Sequence, residues 1–174
     1  MNVQEVQFRN RVAFSLDRSS FQQRAASVAE AAVTDAEAVD REARFPQHAI
    51  DAARKERLLG TQIPIAFGGD GASISEVADI CYTLGRACSS TAMIFAMHQT
   101  KVACLVRHGT GSAYHEALMR RVACEQLLLA SSTTEGQNGG NIRFSTAAVE
   151  RTDAEISLVR NEDVFSWSAS SILI

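Results

Sequence analysis

Apolar residues recur at three-and-four spacing from Phe21 through Ala25, Val28, Ala32 and Val39, and this period predicts a helix with one buried face. Ser19 or Ser20 is positioned to cap it, and its many alanines favour helix. Phe45-Pro46 interrupts the pattern. Pro46 suits the first turn of a second helix carrying Ile50, Ala53, Leu58 and Leu59, with Gly60 expected as its C-cap. Three glycines within four positions follow in Gly68-Gly69-Asp70-Gly71, which predicts an irregular turn. Ser73 and Glu76 have the spacing of a capping box opening a helix from about Ile74 to Cys88, with Val77, Ile80, Cys81 and Leu84 on one side. Ser89-Ser90-Thr91 is expected to cap the next helix. That segment, Ala92 to His108, is apolar almost all round, which predicts a place at the centre of a bundle. Gly109 to Gly111 closes it, and Ser112 caps a last helix through Leu118, Met119 and Val122.

After Cys124 the period shortens. Leu127–Ala130, Ala147–Glu150, Ile156–Val159 and Val164–Trp167 read as strands, with Arg151-Thr152-Asp153-Ala154 as a hairpin turn. Ile172-Leu173-Ile174 is expected to be an unpaired apolar strand, the edge of a severed domain. The expected fold class is mainly α, a helical bundle followed by an incomplete β-barrel domain. The expected divisions are an unassigned extension over 1–19, a helical domain over 20–125 and an incomplete β domain over 126–174.

Charge and cysteine usage narrow the function. A formal net charge of -3 with no basic cluster argues against nucleic acid. Residues 1 to 11 lack the apolar core of a secretory signal, and no apolar run reaches membrane-spanning length, so a soluble cytoplasmic protein is expected. Cys81, Cys88, Cys104 and Cys124 show no C-x-x-C spacing and read as buried small hydrophobes. Cys104 and His108 share a helical face, but no further metal ligand is evident, and none is expected. Met93, Met97 and Met119 fit a bundle core, His98 a core or interface position, His108 and His115 the surface, and Asp70 a solvated turn.

The candidate chemistry lies in Ser131-Ser132-Thr133-Thr134-Glu135-Gly136-Gln137-Asn138-Gly139-Gly140-Asn141. Small hydroxyls and glycine amides allow close approach to a flat ring or a phosphate. An ordinary glycine-rich turn is the bland reading of the same residues.

The order of these segments resembles the acyl-CoA dehydrogenase family. Pro64 and Gly68-Gly69-Asp70-Gly71 match its Pro-x-x-x-Gly-Gly-x-Gly segment. Glu76-Val77-Ala78 through Leu84-Gly85-Arg86, Ser89-Ser90-Thr91-Ala92 and Met97-His98 follow its next two helices, and Thr134-Glu135 falls at its Thr-Glu-Pro. The resemblance covers roughly residues 20 to 174. It implies FAD as cofactor, held by Ser131, Ser132, Thr133, Thr134, Gly139 and Gly140 and by a second segment of Val164, Phe165 and Ser166, with Gly140 also touching substrate. It implies α,β-dehydrogenation of an acyl-CoA thioester or related small molecule by an intact homo-oligomer. The catalytic carboxylate of the family belongs to its second helical domain, so none of these 174 residues is assigned that role, and Glu135 is read as orienting or structural. The chain departs from the pattern at Gly136, where proline is usual, at Gly139-Gly140-Asn141 in place of Gly-Ser-Asp, and at Val164 in place of an aromatic ring. A flavin-dependent monooxygenase of the same fold, or a non-catalytic helical interaction module, are the alternatives.

Overall fold

The computed structural model describes residues 20–130, 149–152, 156–158 and 172–173. Five helices dominate it: α1 (Phe21–Arg41), α2 (Gln47–Lys55), α3 (Ile74–Ala87), α4 (Ser89–His108) and α5 (Ala113–Glu125), with a 3-10 turn at Ile65–Phe67 before α3. Helix α1 starts where its cap dictates. The Ser20 hydroxyl accepts from the Gln23 N–H, and the Gln23 side chain accepts from the Ser20 N–H at 2.9 Å. Ser73 and Glu76 form the corresponding box on α3. Hydrogen bonds from the Ser73 backbone and hydroxyl hold the Glu76 carboxyl below its ordinary value.

Helix α2 ends earlier than expected, at Lys55, and Gly60 is not its cap. Arg57 takes the left-handed conformation there, at φ 57°. That conformation is uncommon for a residue with a Cβ. Tertiary hydrogen bonds hold it: the Arg57 carbonyl accepts from Arg24, and its guanidinium donates to the Ala123 carbonyl at 2.8 Å. Gly60 is glycine for want of space. A Cβ there would lie 2.9 Å from the Ala123 Cα and 3.0 Å from the Gln126 side chain.

The glycine cluster folds back on the segment before it. Gly71 N–H donates to the Ile63 carbonyl at 2.9 Å and Ala72 N–H to the Thr61 carbonyl at 2.8 Å. Gly68 ends the 3-10 turn at φ 90°, and a Cβ on Gly69 would collide with the Ile63 carbonyl. The cluster is therefore shaped by backbone packing.

Helices α3 and α4 share one residue, Cys88, as C-cap and N-cap, so Ser89, Ser90 and Thr91 fall inside the first turn of α4 and no side chain caps it. The expectation of a helix buried all round is corrected. Helix α4 buries Thr91, Ile94, Phe95, His98, Gln99, Val102 and Leu105 on one face, while Met93 is 61% and Met97 38% exposed. Apolar character overstated burial there because, among the described residues, no neighbour covers that side of the helix. Of the four cysteines only Cys88 is buried, and Cys104 is exposed.

Three apolar clusters make the interior. The largest joins Val28 of α1, Ile50 of α2, Leu58 and Leu59, Ile80 and Leu84 of α3, Phe95 of α4 and Leu128. A second joins Ile63, Val102, Met119, Val122 and Leu129. A third joins Ala32, Val39, Ala49 and Cys88. Short strands follow: β1 (Leu129–Ala130), β2 (Val149–Arg151), β3 (Ile156–Leu158) and β4 (Ile172–Leu173). Strands β2 and β3 are antiparallel, with Glu150 opposite Ser157, as the expected hairpin requires. Strand β4 departs from expectation. It pairs in parallel with β1, Leu129 opposite Ile172 and Ala130 opposite Leu173. A parallel partner distant in sequence leaves no local sign in the chain.

Candidate functional site

The residues expected to hold the cofactor, Ser131, Ser132, Thr133, Thr134, Gly139, Gly140, Val164, Phe165 and Ser166, lie outside the described residues. The structure does describe the root of the first of these segments, where α4, the Leu58–Leu59 turn, the end of α5 and β1 meet.

His98 is central to that root. It is 1% exposed on the inner face of α4. Its Nε2 lies 2.8 Å from the Leu59 carbonyl oxygen, and its Nδ1 lies 3.0 Å from the Leu129 amide nitrogen. A carbonyl can only accept and an amide N–H only donate, so the ring is neutral with its proton on Nε2. Burial lowers the His98 pKa to about 4, against the opposing pull of the Leu59 carbonyl. Protonation would also turn Nδ1 into a donor facing another donor.

Two amides complete the junction. Gln126, left-handed at φ 52° after α5, accepts from the Leu59 N–H at 3.0 Å and donates to the Ala123 carbonyl at 2.7 Å. Gln99 donates to the Leu58 carbonyl at 3.1 Å. Its Oε1 and the Thr91 hydroxyl have no protein hydrogen-bond partner among the described residues. Leu128, Leu129 and Ala130 are each 2% exposed. The chain thus enters residues 131–141 from a backbone fixed on both its polar and its apolar sides.

Asp70 is not a solvated turn residue. It pairs with Arg24 at 3.0 Å. The same guanidinium donates to the Glu56 carbonyl at 2.8 Å and the Arg57 carbonyl at 2.7 Å. Arg24 thereby supplies the end of α2 with the hydrogen-bond donors that a terminating helix lacks. Sequence reasoning passed over Arg24, although its position beside Ala25 and Val28 on the apolar face of α1 was a legible sign. His108 and His115 are exposed as expected, and Met119 is buried, whereas Met93 and Met97 are not. Among the described residues no three His, Cys, Asp or Glu side chains converge as a metal site would require. No described helix is long and apolar enough to cross a membrane.

In the sequence, four consecutive hydroxyl residues and, further on, two adjacent glycines follow β1. Strand β1 is hydrogen-bonded to His98 at its first residue.

Known proteins resemble the chain in the same region. The family model described as acyl-CoA dehydrogenase, N-terminal domain, matches residues 15–125. Cyclohex-1-ene-1-carbonyl-CoA dehydrogenase from Geobacter metallireducens is 34% identical over 117 residues, covering 66% of this chain and 30% of that protein. The protein of the same name from Syntrophus aciditrophicus is 28% identical over 116 residues, covering 66% of this chain and 28% of its own length. A 3-sulfinopropanoyl-CoA desulfinase from Paraburkholderia xenovorans is 32% identical over 65 residues, 37% of this chain and 17% of that protein. Among solved structures, methanesulfinate monooxygenase from Pseudomonas fluorescens superposes with a TM-score of 0.69 at 20% identity, over 82% of this chain and 35% of that one, a likeness of fold. The chain thus spans less than a third of the length of these two dehydrogenases. With its helical order, its glycine turn and the family match over residues 15–125, this chain belongs to the acyl-CoA dehydrogenase family.

Proposed function

We propose that the intact protein is an FAD-dependent oxidoreductase that carries out α,β-dehydrogenation of an acyl-CoA thioester. The observation that carries this reading is the 34% identity to a dehydrogenase named for a cyclic acyl-CoA. The three curated relatives bear two reaction names, dehydrogenase and desulfinase, but every name specifies a CoA thioester. A CoA thioester is therefore the substrate class proposed. The monooxygenase reading is less favoured, because the methanesulfinate monooxygenase structure is 20% identical and shares the fold alone.

In this reading the hydroxyls of Ser131, Ser132, Thr133 and Thr134 and the amides of Gly139 and Gly140 orient the ring system, with Val164, Phe165 and Ser166 on a second segment. Gly140 also meets the substrate. The bound flavin supplies the acceptor for a hydride from the β carbon. The α proton goes to a carboxylate that family resemblance assigns to a second helical domain, so the 174 residues alone supply binding groups and not the base. Asn141 and Gly140 replace the usual aspartate and serine of the segment, and Gly136 its proline; these changes favour an acyl group other than an ordinary fatty chain. Family resemblance also points to a homo-oligomer. A non-catalytic helical interaction module is the reading that remains if no flavin binds.

The test is to purify the full-length gene product, record its visible spectrum and add cyclohex-1-ene-1-carbonyl-CoA and straight-chain acyl-CoA anaerobically. Bound flavin that bleaches with a thioester is expected. A protein without flavin overturns the proposal, and flavin reduced solely by an external reductase replaces it with the monooxygenase.

A further inference from the structure

We propose that His98 is a positioning residue, anchoring the first amide of β1 so that the segment from Ser131 onward leaves the helical bundle from a fixed point. The identity of the ligand in this proposal rests on the flavoprotein reading above. The anchor itself rests on hydrogen-bond geometry alone.

Ordinary packing does not explain the arrangement. A core position on α4 is served by an apolar side chain, as at Ile94, Phe95, Val102 and Leu105 on the same face. Position 98 instead carries an imidazole with both nitrogens engaged, one to Leu59 in the turn after α2 and the other to Leu129. The Leu129 N–H is thus satisfied by a side chain of the helical bundle. A buried amide without a partner is costly, so the strand is held where the ring puts it. The contact spans 31 residues of sequence and joins the bundle to the last two described residues before the hydroxyl run. Apolar contacts of Leu128 and Leu129 with the two larger clusters fix the depth of the strand. They are non-directional, whereas the hydrogen bond from Leu129 to His98, together with the ladder to β4, fixes which way the backbone faces.

The two nitrogens can be tested separately. An asparagine amide at position 98 reaches the place of Nδ1, keeping an acceptor for Leu129. A glutamine amide reaches the place of Nε2, keeping a donor for the Leu59 carbonyl. The experiment compares the 174-residue chain with His98→Asn and His98→Gln, reading thermal stability, hydrogen exchange of the Leu129 amide and affinity for added FAD. Both variants are expected to lose stability. His98→Gln alone is expected to lower Leu129 protection, by about ten- to a hundredfold, and to weaken FAD binding at least about tenfold at matched folded fraction. Unchanged Leu129 protection in His98→Gln, or FAD affinity that follows melting temperature equally in both variants, overturns the proposal. Selective loss of protection in a system where the unsubstituted chain and the full-length protein bind no FAD overturns the flavoprotein reading and leaves the anchor standing. Should neither variant fold, NMR of the unsubstituted chain decides. A proton on Nε2 and a coupling across the hydrogen bond from Leu129 N to His98 Nδ1 support the anchor, and their absence overturns it.

Discussion

Replacing Arg24 by methionine tests how this small helical domain closes the end of α2. The side chain is 10% exposed and donates to three acceptors: the carbonyls of Glu56 and Arg57 and the carboxylate of Asp70. Methionine preserves most of the apolar stem and removes every donor. Hydrogen bonds to a charged group contribute about 1.5 to 3 kcal/mol each. The three are not independent, and the carbonyls stand near enough to the surface for water to reach them once the guanidinium is gone. A loss of about 2 to 4 kcal/mol is therefore expected, less than the simple sum. For a domain of this size that corresponds to roughly 10 to 20 °C in melting temperature.

The partners divide this cost unequally. The Asp70 side chain is 30% exposed, so solvent screens the ion pair, and Asp70→Asn retains an acceptor oxygen. Its expected cost is at most about 1 kcal/mol. Urea melts of the wild type, both single variants and the double variant, followed by far-UV circular dichroism, give the two costs and their coupling. If Asp70→Asn costs as much as Arg24→Met, the ion pair dominates and the account of Arg24 as a remote cap for α2 is wrong.

Acid should destabilise the domain in a defined window. His98 has a pKa of about 4 in the folded chain against 6.5 for an ordinary histidine, so between those values the unfolded chain binds the extra proton. Stability from this group is full above about pH 6.5, falls as pH drops toward 4, and has then lost about 3 kcal/mol. Melts of the wild type and His98→Asn across this range isolate the contribution from the exposed histidines, and parallel acid limbs would refute it. Gly69→Ala should cost about 3 kcal/mol or more, since the new Cβ lies 2.6 Å from the Ile63 carbonyl carbon. Gly85→Ala on the exposed side of α3 meets the Ala92 Cβ at an ordinary 3.6 Å and should stabilise by about 0.5 to 1 kcal/mol; equal effects at the two sites, read by thermal melts, would refute the packing argument. Ser73→Ala removes the hydroxyl that caps α3 and should cost about 1 kcal/mol in the same assay.

The helical half was legible because its information is local. Caps at Ser20, Ser73 and Ser112 and the apolar stripe from Ala25 to Val39 act within a few residues, so period and composition determined where α1, α3 and α5 begin. The ordered motifs from Pro64 to Thr134 likewise carried the family resemblance, which the match over residues 15–125 shows independently. Tertiary structure alone decided the rest. Arg57 ends α2 because Arg24 and Ala123 bind it, Asp70 is paired because α1 brings a guanidinium 46 residues away in sequence, and α4 exposes Met93 because no neighbour covers that side among the described residues. Ile172 and Leu173 find β1 across more than 40 residues, and His98 selects its tautomer only once Leu59 and Leu129 converge on it. Each of these depends on groups distant in the chain, which meet or fail to meet only after the local elements have packed.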